Sequence, residues 1–267
     1  MKKSSKYLFI AVIILVAVFT YLFWVLDIVE PFADKNMPLP NTFLTQIPNP
    51  ESNYTSRSPE IVTSILWDHR GIDTYYETAV LFIAIVSTLY LLSLGDKLGE
   101  DIGRVLREYT VIAKLVTKLV AIVISVVAVS IALHGHLTPG GGFQGGVVFV
   151  IAPLLLLMVY GVDRLYRSGF REKILLFLRT TGVSLIGFTG ASILLSGLLL
   201  GYNTYLFQNQ PKPWTSNFGF PYQLMLPWGS LIFSGSLMIL NILEFIAVST
   251  GFTLALLLVE KYLGGGK

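Results

Sequence analysis

The sequence contains no cysteine, and only 13% of its 267 residues are charged. The first absence removes disulfides, Cys-ligated zinc, iron–sulfur clusters and thiol nucleophiles together. The second leaves roughly half the charged fraction of an average soluble domain, which is about 25%. Three histidines offer little for a metal site. Apolar residues take the place of what is missing: 54% of the chain is hydrophobic and its mean hydropathy is +0.69. That composition excludes a soluble globular protein. The net charge of +3 would suit a nucleic-acid binder, but the basic residues are distributed as membrane topology requires.

A helix needs about 20 apolar residues to cross roughly 30 Å of hydrocarbon. Six stretches qualify: Tyr7–Leu26, Tyr76–Leu94, Leu115–Leu133, Phe143–Gly161, Thr180–Leu200 and Leu231–Leu258. The first follows Lys2, Lys3 and Lys6 but is too long for a signal-peptide core, and Trp24 and Asp27 stand where small residues would mark cleavage. It reads as a retained helix. With the N-terminus inside, segments 1–6, 95–118, 162–179 and 259–267 are cytoplasmic and hold 15 of the 19 basic residues. All four tryptophans then fall at or near the outer face, and both termini are cytoplasmic. The expected fold class is an all-α polytopic membrane protein of about six transmembrane helices.

Two outer segments are long. Residues 27–72 hold six of the twelve prolines and read mostly as irregular chain. Near their end Ser58 can cap, Pro59 suits a first turn, and Ile61, Val62, Ile65 and Leu66 repeat at helical spacing. These predict a short amphipathic helix in the outer interface. Residues 201–228 are rich in aromatics with a single charge, and are expected to lie against the membrane or a neighbour.

Ionisable groups inside a span cost roughly 2.5–3.5 kcal/mol on insertion scales, so each is a functional candidate. Asp73 and Glu77, four apart at the mouth of the second span, share a helix face and offer oxygen ligands to Na⁺ or a proton-exchanging pair. An ion pair with Arg70 is the simpler alternative. Glu244, deep in the sixth span and one turn from Asn241, has no basic residue close in sequence. It is either an exchange site or packing glue. His134 and His136, two apart, would diverge on a helix, which argues against a shared metal; they suit gating or hydrogen bonding to loop carbonyls. Lys118 sits at the inner end of the third span and reads as a snorkelling lysine or a field-coupling one. Arg179 reads as an anchor at the start of the fifth span.

Between the third and fourth spans, Gly140, Gly141, Gly142, Gly145 and Gly146 put five glycines in seven residues. The run satisfies G-x-G-x-x-G literally, but no strand precedes it and no βαβ unit surrounds it, so it is not a dinucleotide site. The spacings Gly141/Gly145 and Gly142/Gly146 instead predict close helix packing. No internal repeat of the kind found in secondary transporters is evident.

The stretch His134–Gly146 resembles the H-G-H-x-x-P-G-G-G-F-x-G-G signature of the MnhB family, the B-type subunits of Mrp-type Na⁺/H⁺ antiporters. The matching positions are His134, Gly135, His136, Pro139, Gly140, Gly141, Gly142, Phe143, Gly145 and Gly146. That resemblance covers about residues 105–267 and implies a four-helix MnhB-like domain. Residues Ile65–Glu77 resemble the D-x-R-G-x-D-T-x-G-E element in the tail of the large antiporter subunit, with Tyr76 where the pattern has glycine. Residues 1–104 therefore look like a two-helix piece of that kind, fused to the B-type domain. The resemblance implies a non-redox, non-catalytic subunit of a cation-translocating module in a respiratory membrane complex of hydrogenase or sulfane reductase type. A stand-alone antiporter subunit and a structural scaffold are the alternatives. It implies no cofactor or resident metal in this chain, with Na⁺ or H⁺ as transported ion. The implied partners are other Mrp-like membrane subunits, hydrophilic iron–sulfur subunits and the lipid bilayer, with no nucleic acid.

Overall fold

Helices form where the long apolar runs lie, and their ends are set by capping residues and glycines. The computed structural model describes residues 38–49, 52–94, 109–212 and 218–263, with scattered helical positions between 14 and 25. Most of the first predicted span, both chain ends and residues 95–108 lie outside the described residues. The chain divides into two compact units, residues 1–41 and 42–267, and the packing described below belongs to the second.

In chain order the elements are α1 (Pro38–Thr45), α2 (Ile61–Ser64) running into a π-helical turn (Ile65–His69), α3 (Gly71–Leu94), α4 (Val111–His134), α5 (Gly142–Tyr160), α6 (Val162–Arg167), α7 (Glu172–Leu200), β1 (Gln223–Leu226), β2 (Gly229–Ile232) and α8 (Leu237–Leu263). Four of the described helices are long and apolar enough to cross a membrane: α4, α5, α7 and α8. Helix α3, 24 residues long, contains the second predicted stretch. Thr110 caps α4 by accepting the Ala113 N–H, and Gly201 ends α7 in the left-handed conformation.

Helix α8 is the axis of the bundle. It packs against α3, α4, α5 and α7, and 56% of its most apolar window is buried, against 17% for α4. Two apolar clusters form along it. One joins Trp67, Ile186, Phe207, Leu237, Leu240 and Leu243; the other joins Ile85, Leu165, Leu175, Leu254, Leu257 and Leu258.

The structure corrects several expectations. The fold is not purely helical, because residues 223–232 form an antiparallel hairpin with Leu226 opposite Gly229. The sixth span therefore starts at Leu237 and not at Leu231. The irregular segment 27–72 includes helix α1. The amphipathic helix near residue 60 is capped by the Glu60 carboxylate on the Thr63 N–H, while Ser58 donates to the His136 carbonyl at 2.5 Å. After one turn it widens into the π turn. Trp67 and Asp68 are buried there in protein, while Val62 is exposed and Ile61, Ile65 and Leu66 are half-buried.

Candidate functional site

The glycine-rich loop places the start of α5 directly on α8. Gly140 has φ +143, a conformation that favours glycine. At Gly142 a Cβ would run into the Asn241 carbonyl and sit 2.7 Å from the Glu244 Cβ. Gly146 faces Val248 of α8 at 2.8 Å, while Gly145 faces the Ala128 carbonyl of α4 at 2.7 Å. Neighbouring glycines thus serve two different helices, and no side chain fits at either contact.

This approach gives Glu244 its surroundings. Its carboxyl is buried, and Oε2 accepts the Phe143 backbone N–H at 3.1 Å. The start of a helix offers unpaired N–H groups and the positive end of its dipole, both favourable to an anion. One turn away, the Asn241 side-chain oxygen accepts from the Trp67 indole at 3.2 Å, and its NH₂ group has no partner among the described residues. Glu77 lies within electrostatic reach of Glu244. No lysine or arginine pairs with Glu244 among the described residues. A buried carboxyl with no basic partner is a candidate for proton or cation exchange.

The other predicted residues divide. Glu77 is exposed on α3. Asp73 is also exposed and binds Arg70 at 2.6 Å, the simpler of its two expected roles. His134 is exposed, with Nδ1 3.0 Å from the Ser130 carbonyl. His136 is buried; its Nε2 is 2.9 Å from the Ile232 carbonyl, and its own carbonyl accepts from Ser58. Burial holds its pKa below the usual 6.5, with the Ile232 and Leu133 backbone bonds opposing and the charge of His134 adding. It joins the loop to the hairpin. Among the described residues no three His, Asp or Glu converge on a metal position. Lys118 stands over the Tyr160 ring at 5.5 Å. Along α4 it is about 24 Å from His134 at the 1.5 Å rise per residue, so it belongs to the opposite end of the bundle.

Buried charge occurs at two further places, one not expected from sequence and one expected in a different role. Asp68, in the π turn, pairs with Lys212 at 2.5 Å, both side chains being essentially inaccessible. Lys212 also donates to the Thr55 carbonyl at 2.6 Å, and Asp68 Oδ1 accepts the Asn209 N–H at 3.0 Å. The Asn209 side chain binds the Ser56 and Ser234 carbonyls and accepts from Ser236, tying three segments together. The available signal was Lys212 itself, the one charge in the aromatic segment 201–228. Arg179 is the second case, and its reading as an interfacial anchor is overturned. Helix α7 begins at Glu172, two turns earlier than expected, so Arg179 lies within it and is wholly buried. Its guanidinium donates to the Ala247 carbonyl at 2.6 Å, sits 5.4 Å from the Phe82 ring, and occupies the space left by Gly251.

Comparisons with known proteins place this architecture. A subunit in the structure of the archaeal membrane-bound sulfane sulfur reductase, a respiratory membrane complex, superposes with TM-score 0.61 at 24% identity, covering 92% of this chain and 96% of that one. A chain of the Mrp complex from Dietzia sp. DQ12-45-1b superposes with TM-score 0.66 at 17% identity, covering all of this chain and 26% of that one. These likenesses are of fold. An uncharacterized protein of Methanocaldococcus jannaschii is 30% identical over 151 residues, 51% of this chain and 57% of that protein. A Staphylococcus aureus protein bearing the name antiporter subunit mnhB2 is 33% identical over 63 residues, 24% of this chain and 45% of that protein. The chain thus spans about half the length of the curated relatives it matches. The model of the domain related to the MnhB subunit of Na⁺/H⁺ antiporters matches residues 112–254, more than half of the chain, and the protein belongs to that family.

Proposed function

We propose that this chain is a non-redox membrane subunit of an Mrp-like cation-translocating module, with Glu244 as the group that exchanges Na⁺ and H⁺. The observation that carries the reading is the Glu244 carboxyl, buried in α8 and held by the Phe143 N–H at the start of α5, with no basic partner among the described residues. Glu77 supplies a second carboxylate in reach and an exposed point of arrival for a cation. Asn241 offers an amide beside the exchange site. His134 and His136, in the loop that feeds α5, set how closely that helix start is held. The proposed topology has six spans and cytoplasmic termini, with residues 1–104 contributing two helices ahead of the MnhB-like part, 105–267. The whole-chain likeness to a sulfane reductase subunit supports a respiratory parent complex with redox partners. Oxidation and reduction take place in those partners.

The test is Glu244→Gln in the intact complex, with radioactive sodium uptake measured in sealed membrane vesicles. The amide keeps the bond from Phe143 and cannot carry charge, so assembly persists while uptake falls to background. Normal uptake in that variant overturns the assignment. A scaffold role without ion carriage is favoured by one observation, that Asp73 is already paired with Arg70. It predicts that neutralising Glu77 and Glu244 together leaves uptake unchanged.

A further inference from the structure

At the end of the bundle away from Glu244, a cavity of about 450 Å³ opens between α4, α5 and the α6–α7 connection. Much of its lining is apolar, with Ala121, Phe149 and Leu156 on the inside and the exposed Ile122 and Val126 at its edge. Its other part is basic: Lys118, Arg164, Ser168 and Tyr160 contribute, and no Asp or Glu is among the lining residues. Lys118 sits two turns inside α4, over the Tyr160 ring, where an ammonium facing hydrocarbon is costly. Neither Lys118 nor Arg164 has a carboxylate within ion-pair distance among the described residues. An oily slot under two uncompensated cations is complementary to an amphiphile with an anionic head.

We propose that this cavity binds an anionic phospholipid, its phosphate between Lys118 and Arg164 and one acyl chain along the slot between α4 and α5. Charge separates this occupant from a partner helix: two cations with no carboxylate among the lining residues call for an anionic head, and the apolar walls between α4 and α5 suit an acyl chain. Ile122 and Val126 are exposed on α4, open to an acyl chain laid along the slot. The phosphate supplies the counter-charge that Lys118 lacks; the Tyr160 and Ser168 hydroxyls are already donated to the Lys114 and Arg164 carbonyls and take no part. The site is independent of the ion-exchange reading, because it lies at the opposite end of α4 and uses none of the same carboxyls.

The experiment uses the purified complex in nanodiscs of phosphatidylcholine, doped with phosphatidylglycerol that carries a photoreactive diazirine on an acyl chain. After irradiation, labelled peptides are mapped by mass spectrometry. Labelling is expected at Ile122, Val126 or Phe149. Photoreactive phosphatidylcholine should label these positions far less. Removing both cations in Lys118→Gln/Arg164→Gln should lower phosphatidylglycerol labelling on the order of 30-fold. Val126→Phe, which fills the slot and keeps both charges, should also abolish it. Equal labelling by the two lipids, or labelling unchanged in the double variant, overturns the proposal. Cross-links from the slot to another subunit, with none to lipid, overturn it as well and make the cavity a protein interface.

Discussion

Replacing Lys212 by methionine is expected to destabilise the protein strongly. Its ammonium is 2.5 Å from Asp68 Oδ2, with both side chains essentially inaccessible. At that distance the attraction is roughly 6–7 kcal/mol with an effective dielectric of 20. Desolvating the two ions costs several kcal/mol each, so the intact pair contributes little net stability. Removing one partner is different, because Asp68 is then left buried and uncompensated, at a cost of about 3–5 kcal/mol. The Asn209 N–H stays on Oδ1 and keeps the loss from exceeding that range. By the scaling for domains of this size the melting midpoint drops about 6–20 °C. The assay is thermal unfolding of the detergent-solubilised complex for Lys212→Met, Asp68→Asn and the double variant. The double variant removes both charges and should recover to within about 1–2 kcal/mol of the parent; with each single variant costing about 3–5 kcal/mol, the coupling is roughly 4–9 kcal/mol. Strict additivity of the two single variants would falsify the idea that the pair acts as a unit.

Two further outcomes follow from the same geometry. Gly142→Ala puts a methyl group where Asn241 and Glu244 already stand, an overpacking that costs about 1–3 kcal/mol and pushes α5 away from Glu244; a melting midpoint and sodium uptake equal to the parent's would refute this. His136 has a folded pKa below its unfolded 6.5 because of burial. The unfolded chain then binds more protons as pH drops, so this contribution to stability is complete above 6.5 and is lost as pH falls from 6.5 toward the folded value. Replacing His136 with Gln should flatten the profile of midpoint against pH below 6.5, and an unchanged slope would refute the assignment.

The spans from residue 111 onward were legible in the sequence because a bilayer imposes a length of continuous apolar chain, and such runs are one-dimensional features. The glycine run from Gly140 to Gly146 was legible as a packing surface for a similar reason, since only small residues let two backbones approach. The MnhB signature could be read from these same residues. The hairpin was missed because its second strand was read into the apolar run of α8 from Leu231 and its first into the aromatic segment 201–228, and hydropathy does not distinguish a strand from a helix start. The π turn was missed because its reason lies 141 or more residues away, in the bonds that Asp68 makes to Asn209 and Lys212.

The sequence by itself determined that the chain is a membrane protein, where most of its long helices run, and which family it joins, because hydropathy, basic-residue placement and a contiguous motif all act locally along the chain. Only the tertiary structure decided which polar groups meet. Arg179 reads as an interfacial anchor until Gly251 and Ala247 of α8 open a place for its guanidinium. Lys212 stands alone as the one charge in segment 201–228 until Asp68 closes on it. Glu244 has a donor only because Gly142 lets the start of α5 reach it. Burial in lipid and burial in protein follow the same apolar pattern, and they differ only in the neighbours that folding brings.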